Sequence, residues 1–315
     1  MVDYSLKKFA QLIFTVFGVV TLVFFTLRFI PGDAASAMAG DTISGEALEL
    51  LREQMGLNAP LWSQYLAYLH GLVTFDFGVT ITTQLPVADL ILRAMPVTLS
   101  IAVLTIVLTV TLAIPLGTLA ALMAHRGQNG LDNAITGTAM VLDLMPSFWT
   151  ALVFLLIFSL TLGWFPASGT ISFDSPVDYL KRIALPVLVL SVTQLATMAR
   201  ITRTAVLEVL SEDYVRTARA MGWSEMRVLF RHALKNAALP IVTVIGLSFG
   251  NLLNGTVIVE FIFTIPGIGN LLINGINSRD YQMVQTLIVF YALLFIVINF
   301  ATDIIYRALD PRVKF

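Results

Sequence analysis

Apolar residues gather into six runs separated by polar stretches: Phe9 to Leu27, Val97 to Ala124, Ala134 to Leu162, Ile183 to Ala199, Ala237 to Val259 and Met283 to Thr302. Each approaches or exceeds the roughly 20 residues that a helix needs to cross about 30 Å of hydrocarbon. Asp143 is the only charge inside them. Lipid offers the backbone no partners, so such runs close their hydrogen bonds internally as helices, and the apolar/polar alternation of a membrane barrel is missing. The pattern predicts an all-α polytopic membrane protein with six transmembrane helices.

Lys7 and Lys8 precede the first run, and Ala35-Ser36-Ala37 imitates a signal cleavage site. A cleaved signal has an apolar core of about 7 to 15 residues. Here the apolar stretch continues almost to Ile30, which predicts a retained helix.

Composition agrees with the pattern. Of 315 residues 57% are hydrophobic and 12% charged, and mean hydropathy is +0.85, values of a chain whose main solvent is lipid. The absence of cysteine excludes a disulfide framework and a thiolate metal or redox site. The net charge of −1 says little, but its distribution orients the chain. With six spans, the side holding both termini, the 125–133 turn and the 200–236 loop carries 13 of the 19 Lys and Arg residues. The positive-inside bias assigns that side to the cytoplasm and leaves Pro31 to Pro96 outside, which in a bacterial cell means the periplasm or its equivalent. In this outer segment Ser44 is placed to cap a helix from Gly45 to Met55, stopped by Gly56, and Pro60 to open a second helix through Leu72. The segment reads either as a solvated connector or as a dock for an external partner.

Asp213 to Pro240 is a long, charged, helix-patterned stretch between membrane runs. Ser211 is expected to cap a first helix, with Glu212 and Asp213 in its first turn; Gly222 ends it, and Ser224 caps a second. In the second, Met226, Leu229, Phe230, Ala233 and Leu234 form an apolar stripe, while Arg227, Arg231 and Lys235 recur on another face. Lipid headgroups alone suffice to hold such an amphipathic helix. A glycine-hinged pair of helices joining two spans also suits the transmission of force from a soluble motor.

This loop resembles the EAA loop of ATP-binding-cassette importer permeases, Glu-Ala-Ala, three residues, Gly, nine residues, Ile, any residue, Leu-Pro. Arg216, Thr217, Ala218, Gly222 and Leu234 occupy the Glu, Ala, Ala, Gly and Leu places; Arg216 and Thr217 depart from the consensus, His232 replaces Ile, and Lys235 stands where Pro is expected. Across essentially the whole chain, the order of features resembles the dipeptide, oligopeptide and nickel branch of these permeases. Its markers are Pro31-Gly32-Asp33, Gly56-Leu57-Asn58-Ala59-Pro60-Leu61 with Gln64-Tyr65, and Asp76-Phe77-Gly78. Later come Pro146-Ser147-Phe148-Trp149, Trp164 to Gly169, Phe263 with Pro266-Gly267-Ile268-Gly269, Arg279-Asp280-Tyr281 and Asp310-Pro311-Arg312.

The resemblance implies a first helix with an extracytoplasmic segment over residues 1–94, a transmembrane core of five helices over 95–307 with a coupling loop at about 211–236, and a cytoplasmic tail over 308–315. It also implies a homologous second permease, two ATPase subunits or domains, and an extracytoplasmic substrate-binding protein as partners, besides the lipid bilayer; no nucleic acid is expected. Asp213, Tyr214, Arg216, Thr217, Ala218, Arg219, Gly222, Trp223, Arg227, Arg231 and Leu234 would form the ATPase-coupling loop. No G-x-x-x-x-G-K-[ST] phosphate loop occurs, so no cofactor is expected on this chain, and ATP and Mg belong to the partner ATPases. Peptides are the expected cargo, with nickel chelates or glutathione as alternatives in the same branch.

Polar groups inside spans face a cavity or another helix and are functional candidates. Asp143, three residues before the kink-forming Pro146, either lines a path or gate or pairs with Arg200. Asn251 and Asn254 share one face of the fifth span, and Glu260 ends it. Gly246 and Gly250 form G-x-x-x-G, read chiefly as helix packing, against the sister permease among other partners. Gln194, Arg200, Arg203 and Asp303 read as anchors, and Pro115 with Gly117, and Pro186, as candidate hinges. His70, His125 and His232 fall in separate regions, and Asp143 and Glu260 lie toward opposite membrane faces, so an enzyme is not expected. The rival classes are an ion-coupled secondary transporter titrating Asp143 or Glu260, and a non-transporting scaffold.

Overall fold

The computed structural model describes residues 2–29, 35–36, 45–54, 56–168 and 174–309. The expected cap at Ser44, Met55, Pro31-Gly32-Asp33, Gly169 and Asp310-Pro311-Arg312 lie outside these residues, and the side chains of Lys7, Lys8 and Asp303 lie outside those described.

Among the described residues the regular elements are all helices, joined by turns and one isolated antiparallel bridge between Val79 and Pro86. Its elements are α1 (Val2–Phe29), α2 (Glu46–Gln54), α3 (Leu61–Thr74), α4 (Val87–His125), α5 (Asn129–Asp143), α6 (Ser147–Phe154), α7 (Pro176–Leu210), α8 (Asp213–Ala220), α9 (Glu225–Val228), α10 (Leu234–Ile262), α11 (Ile268–Asn277) and α12 (Tyr281–Leu309). Wider π-helical turns extend α6 over Leu155–Thr161 and join α9 to α10 over Leu229–Ala233.

Among the described residues, five stretches are long and apolar enough to cross a membrane unbroken, in α1, α4, α7, Glu225–Ile262 and α12. The third apolar run differs from the expected kinked span: α5 and α6 meet at 99°. Proline supplies no N–H to the helix and disfavours helical geometry in the residue before it. Pro146 is extended (φ −60°, ψ 138°) and starts α6, so the run breaks there instead of curving. The candidate hinges behave in the opposite way. Helix α4 continues through Pro115 and Gly117, and α7 through Pro186.

The chain divides into two compact units. The first comprises Met1–Thr98 and Pro266–Val297. Val20, Val23 and Val289 form one of its cores, with Tyr68, Leu69 and Leu72 of α3 packed against it. Val87, Ile91, Ala94, Ile268, Met283 and Leu287 form another. The turn before α4 is tied down by Asp280, whose Oδ2 accepts from Ile81 N (2.7 Å) and Oδ1 from Met283 N (3.0 Å). Gln282 Nε2 donates to the Phe77 carbonyl at 2.8 Å. Two markers far apart in sequence, Asp76-Phe77-Gly78 and Arg279-Asp280-Tyr281, therefore build one local clasp.

The second unit comprises Leu99–Ile265 and Ile298–Phe315. Small residues bring its helices close, as lipid-embedded helix packing requires. A Cβ added at Gly246 of α10 would stand 1.9 Å from Thr302 Cγ2 of α12. The G-x-x-x-G at 246–250 is thus engaged within the chain itself. Ala113, Met198 and Ala199 seal α4 against α7. A larger core joins Ala121 of α4, Ala205, Val206 and Leu210 of α7, Val215 and Ala218 of α8, and Val228, Leu229, Ala233, Ala237 and Ile241.

Candidate coupling site

The loop after α7 begins with a correction. Ser211 does not cap α8; its hydroxyl turns back to the Glu208 carbonyl (2.6 Å), and Glu212 holds the extended N-cap position. Helix α8 stops at Gly222, whose φ of +80° lies in the left-handed region that residues with a Cβ disfavour. Gly222 N donates to Arg219 O (2.9 Å) and Trp223 N to Ala218 O (3.3 Å), satisfying carbonyls at the helix end. Ser224 has the expected N-cap conformation before α9, without a side-chain capping bond.

The corner is clamped from both sides. Arg219 meets Glu225 through two bonds, Nε to Oε1 at 3.0 Å and Nη2 to Oε2 at 3.3 Å, and its Nη1 lies 2.9 Å from His125 Nε2 at the end of α4. Asn236 Nδ2 donates to the Tyr214 hydroxyl at 2.6 Å. The Trp223 and His232 rings lie 4.9 Å apart, and the Arg227 guanidinium sits 5.9 Å from the Trp223 ring centre.

Burial sorts the expected loop residues into two sets. Ala218 is buried, and Arg219 and Trp223 are largely engaged within the chain; Leu234 packs on the core. Tyr214, Arg216, Thr217, Arg227 and Arg231 remain exposed, as does Asp213, which pairs with Arg216 at 3.3 Å. The expected apolar stripe is shifted. Leu229 and Ala233 are buried with Val228, whereas Met226 and Phe230 are exposed by 62% and 61%. The π-helical turn over Leu229–Ala233 adds a residue to the turn and rotates the register that uniform 3.6-residue spacing assumes. Met221, 64% exposed beside the corner, joins Met226 and Phe230 as apolar surface that sequence reasoning did not single out. Its position next to a helix-ending glycine was the available signal.

The path candidates also separate. Asp143 Oδ2 accepts from Arg200 Nη2 at 2.6 Å and Oδ1 from the Thr197 hydroxyl at 2.8 Å, with both ionic side chains about one-third exposed. This is the pairing alternative raised by the sequence. Pro146 stands at the break just beyond. Asn251 and Asn254 are exposed on one face of α10 with Leu247 and Ile258, while Glu260 is fully buried and belongs to another. A second ion pair was not foreseen: Arg203 holds both oxygens of the buried Asp132, with Nη2 to Oδ2 at 2.5 Å. The 125–133 segment is not a turn throughout: α5 starts at Asn129, and Asp132 in its first helical turn meets Arg203 of α7. Beside these residues lies a cavity of about 560 Å³ lined by Thr136, Met140, Arg200, Arg203, Thr204 and Pro240.

The geometry is that of an all-helical, polytopic membrane chain with a clamped, glycine-cornered loop between spans. Comparison with known proteins makes the assignment specific. Residues 113–315 match the family described as binding-protein-dependent transport system inner membrane component, and residues 1–102 match the N-terminal region of such membrane components. A putative peptide transport system permease protein of Brucella abortus is 39% identical over 316 residues, covering 100% of both chains. A probable peptide ABC transporter permease protein of Sinorhizobium fredii is 37% identical, covering 99% of both. The glutathione transport system permease protein GsiC of Escherichia coli K12 is 38% identical over 315 residues, again covering 100% of both. In fold, the chain is similar to the MetNI methionine ABC transporter in an inward-facing conformation, with a TM-score of 0.59 at 18% identity, over 70% of this chain and 96% of that one. The chain belongs to the binding-protein-dependent transport system inner membrane component family, as a multi-pass permease subunit of an ABC-type importer.

Proposed function

We propose that this permease subunit moves short peptides inward across the bacterial inner membrane, paired with a homologous permease and driven by two ATPase subunits that grip the 211–236 loop. A soluble binding protein delivers the cargo from outside, and both chain termini lie in the cytoplasm. The observation that carries this reading is the clamped corner at Gly222, with Met221, Met226 and Phe230 exposed around it beside Arg216, Arg227 and Arg231. A mixed apolar and basic surface on a braced two-helix unit suits a protein partner, and the brace to His125 links that surface to a spanning helix.

ATP in the partner can move the permease only by stabilising one loop position over another. Closure of the ATPases would carry the braced loop, and with it α4 and α7, between outward-open and inward-open states. Full-length relatives named for peptide transport support the cargo class. The relative named for glutathione transport stands at nearly the same identity, and glutathione is itself a tripeptide, so it falls within that class.

The test reconstitutes the complex that co-purifies with this chain in proteoliposomes and measures uptake of labelled dipeptides and tripeptides. Uptake that requires both enclosed ATP and the binding protein is expected. Uptake driven by a proton or sodium gradient without ATPase subunits would select the secondary-transporter alternative, and no flux with every partner present would select the scaffold.

A further inference from the structure

Arg28, at the last turn of α1, has no carboxylate partner among the described residues. Its Nε donates to Gln64 Oε1 at 3.1 Å, its Nη1 to Gln285 Oε1 at 3.4 Å, and its guanidinium carbon lies 3.7 Å from the centre of the Phe24 ring. A guanidinium offers five N–H donors in a fixed fork, so these two neutral amides leave most of them without an acceptor among the described residues.

The surroundings are pre-arranged. Gln64 donates its Nε2 to the carbonyls of Leu57 (2.9 Å) and Ala59 (2.8 Å), which turns its oxygen toward Arg28. Gln285 is buried. Phe24 stacks on Tyr68, whose hydroxyl is buried beside Gln285. Burial pushes that hydroxyl up from its ordinary value, so it stays a neutral donor at physiological pH.

Arg28, Gln64, Tyr68 and Gln285 line one cavity of about 990 Å³, together with Asn58 and Gln282. Its other charged lining groups are Arg52, which pairs with Glu49 at 3.2 Å, and the exposed Asp76, which accepts from Gly78 N at 3.2 Å. A fork of spare donors attracts an oxyanion, and amide-bearing walls suit peptide N–H and C=O groups. A phospholipid headgroup carries a similar oxyanion, and the walls mix amides and hydroxyls with apolar side chains such as Leu27, Leu57 and Leu72, so the experiment below separates the two sources.

We propose that this cavity binds the free C-terminal carboxylate of a short peptide, with Arg28 as the anion-binding group and Gln64, Tyr68 and Gln285 around it. The assignment rests on the peptide reading above.

The test uses the intact membrane complex in phosphatidylcholine nanodiscs, with trialanine and trialanine amide as probes and saturation-transfer NMR as readout. Because a charge-assisted hydrogen bond is lost, the wild type should bind the acid roughly tenfold more tightly than the amide. Arg28→Gln should bring that ratio to near unity. Gln285→Glu should do the same while keeping Arg28 paired and the fold satisfied, by supplying an internal carboxylate. Equal binding of both probes to the wild type, or an undiminished preference in Gln285→Glu, would overturn the site. Displacement of trialanine by phosphatidylglycerol placed in the nanodiscs would overturn it too, assigning Arg28 to a lipid phosphate. ATP-driven uptake of trialanine, measured in parallel, reports the peptide reading separately: uptake with a wild-type ratio of unity discards the site alone.

Discussion

Arg219 and Glu225 face each other across the Gly222 corner, joined by bonds of 3.0 and 3.3 Å, and Arg219 also reaches His125 of α4 at 2.9 Å. One side chain therefore holds α8, α9 and the end of a spanning helix in fixed relation. Both partners are partly exposed, so the ion pair contributes about 1 kcal/mol or less to stability. Arg219→Ala should leave assembly and melting temperature nearly unchanged while lowering the peptides moved per ATP hydrolysed several-fold. An unaltered ratio of uptake to hydrolysis would remove Arg219 from the lever.

The Gly222 corner gives a sharper contrast. At φ +80° a β-branched residue is strongly disfavoured, whereas asparagine adopts the left-handed region more readily. Gly222→Val should uncouple hydrolysis from uptake with the spans intact, and Gly222→Asn should retain most of the coupling. Normal uptake by the valine variant would show that the corner is not needed.

Gly246 tests packing within the second unit. Its missing Cβ leaves room for Thr302, and overpacking of this kind costs about 1–3 kcal/mol. Gly246→Ala should lower the melting temperature of the purified complex, and adding Thr302→Ala should restore much of the loss. A melting temperature that ignores both changes would mean that α10 and α12 do not meet there.

Two ion pairs on α7 should differ in consequence. Asp132 is 7% exposed and Asp143 30%. Removing one partner of a buried pair costs roughly 3–5 kcal/mol, and of a part-exposed pair about 1 kcal/mol or less. Asp132→Asn should therefore depress the yield of folded complex, while Asp143→Ala should assemble and chiefly change transport. Equal loss of assembled complex from both would make Asp143 a packing residue.

The sequence carried the spanning helices plainly because long apolar runs without barrel alternation can satisfy their backbone in lipid only as helices, and the ordered markers carried the family. The glycine corner was legible too, since few residues other than glycine hold a positive φ. What escaped were features set by tertiary contact or local geometry. Pro146 signalled a disturbance but not a 99° break, which depends on what the two halves pack against. Asp132 and Arg203 are 71 residues apart and become a pair only through the α5–α7 contact. Met226 and Phe230 fit a buried stripe on 3.6-residue spacing, yet both are in the open, and Phe230 lies within the π-helical turn that follows Val228.

The exposed face of the loop can be interrogated without interference, because the chain has no cysteine of its own. Single cysteines placed at Met221 and at Phe230 would carry a photo-crosslinker in the purified, transport-active complex. Crosslinks from both positions to an ATPase subunit, shifting in yield when ATP is trapped, are the result expected of a loop that the motor grips. Absence of any such crosslink in an active complex, or labelling of these cysteines by an impermeant maleimide added outside the cell, would contradict it.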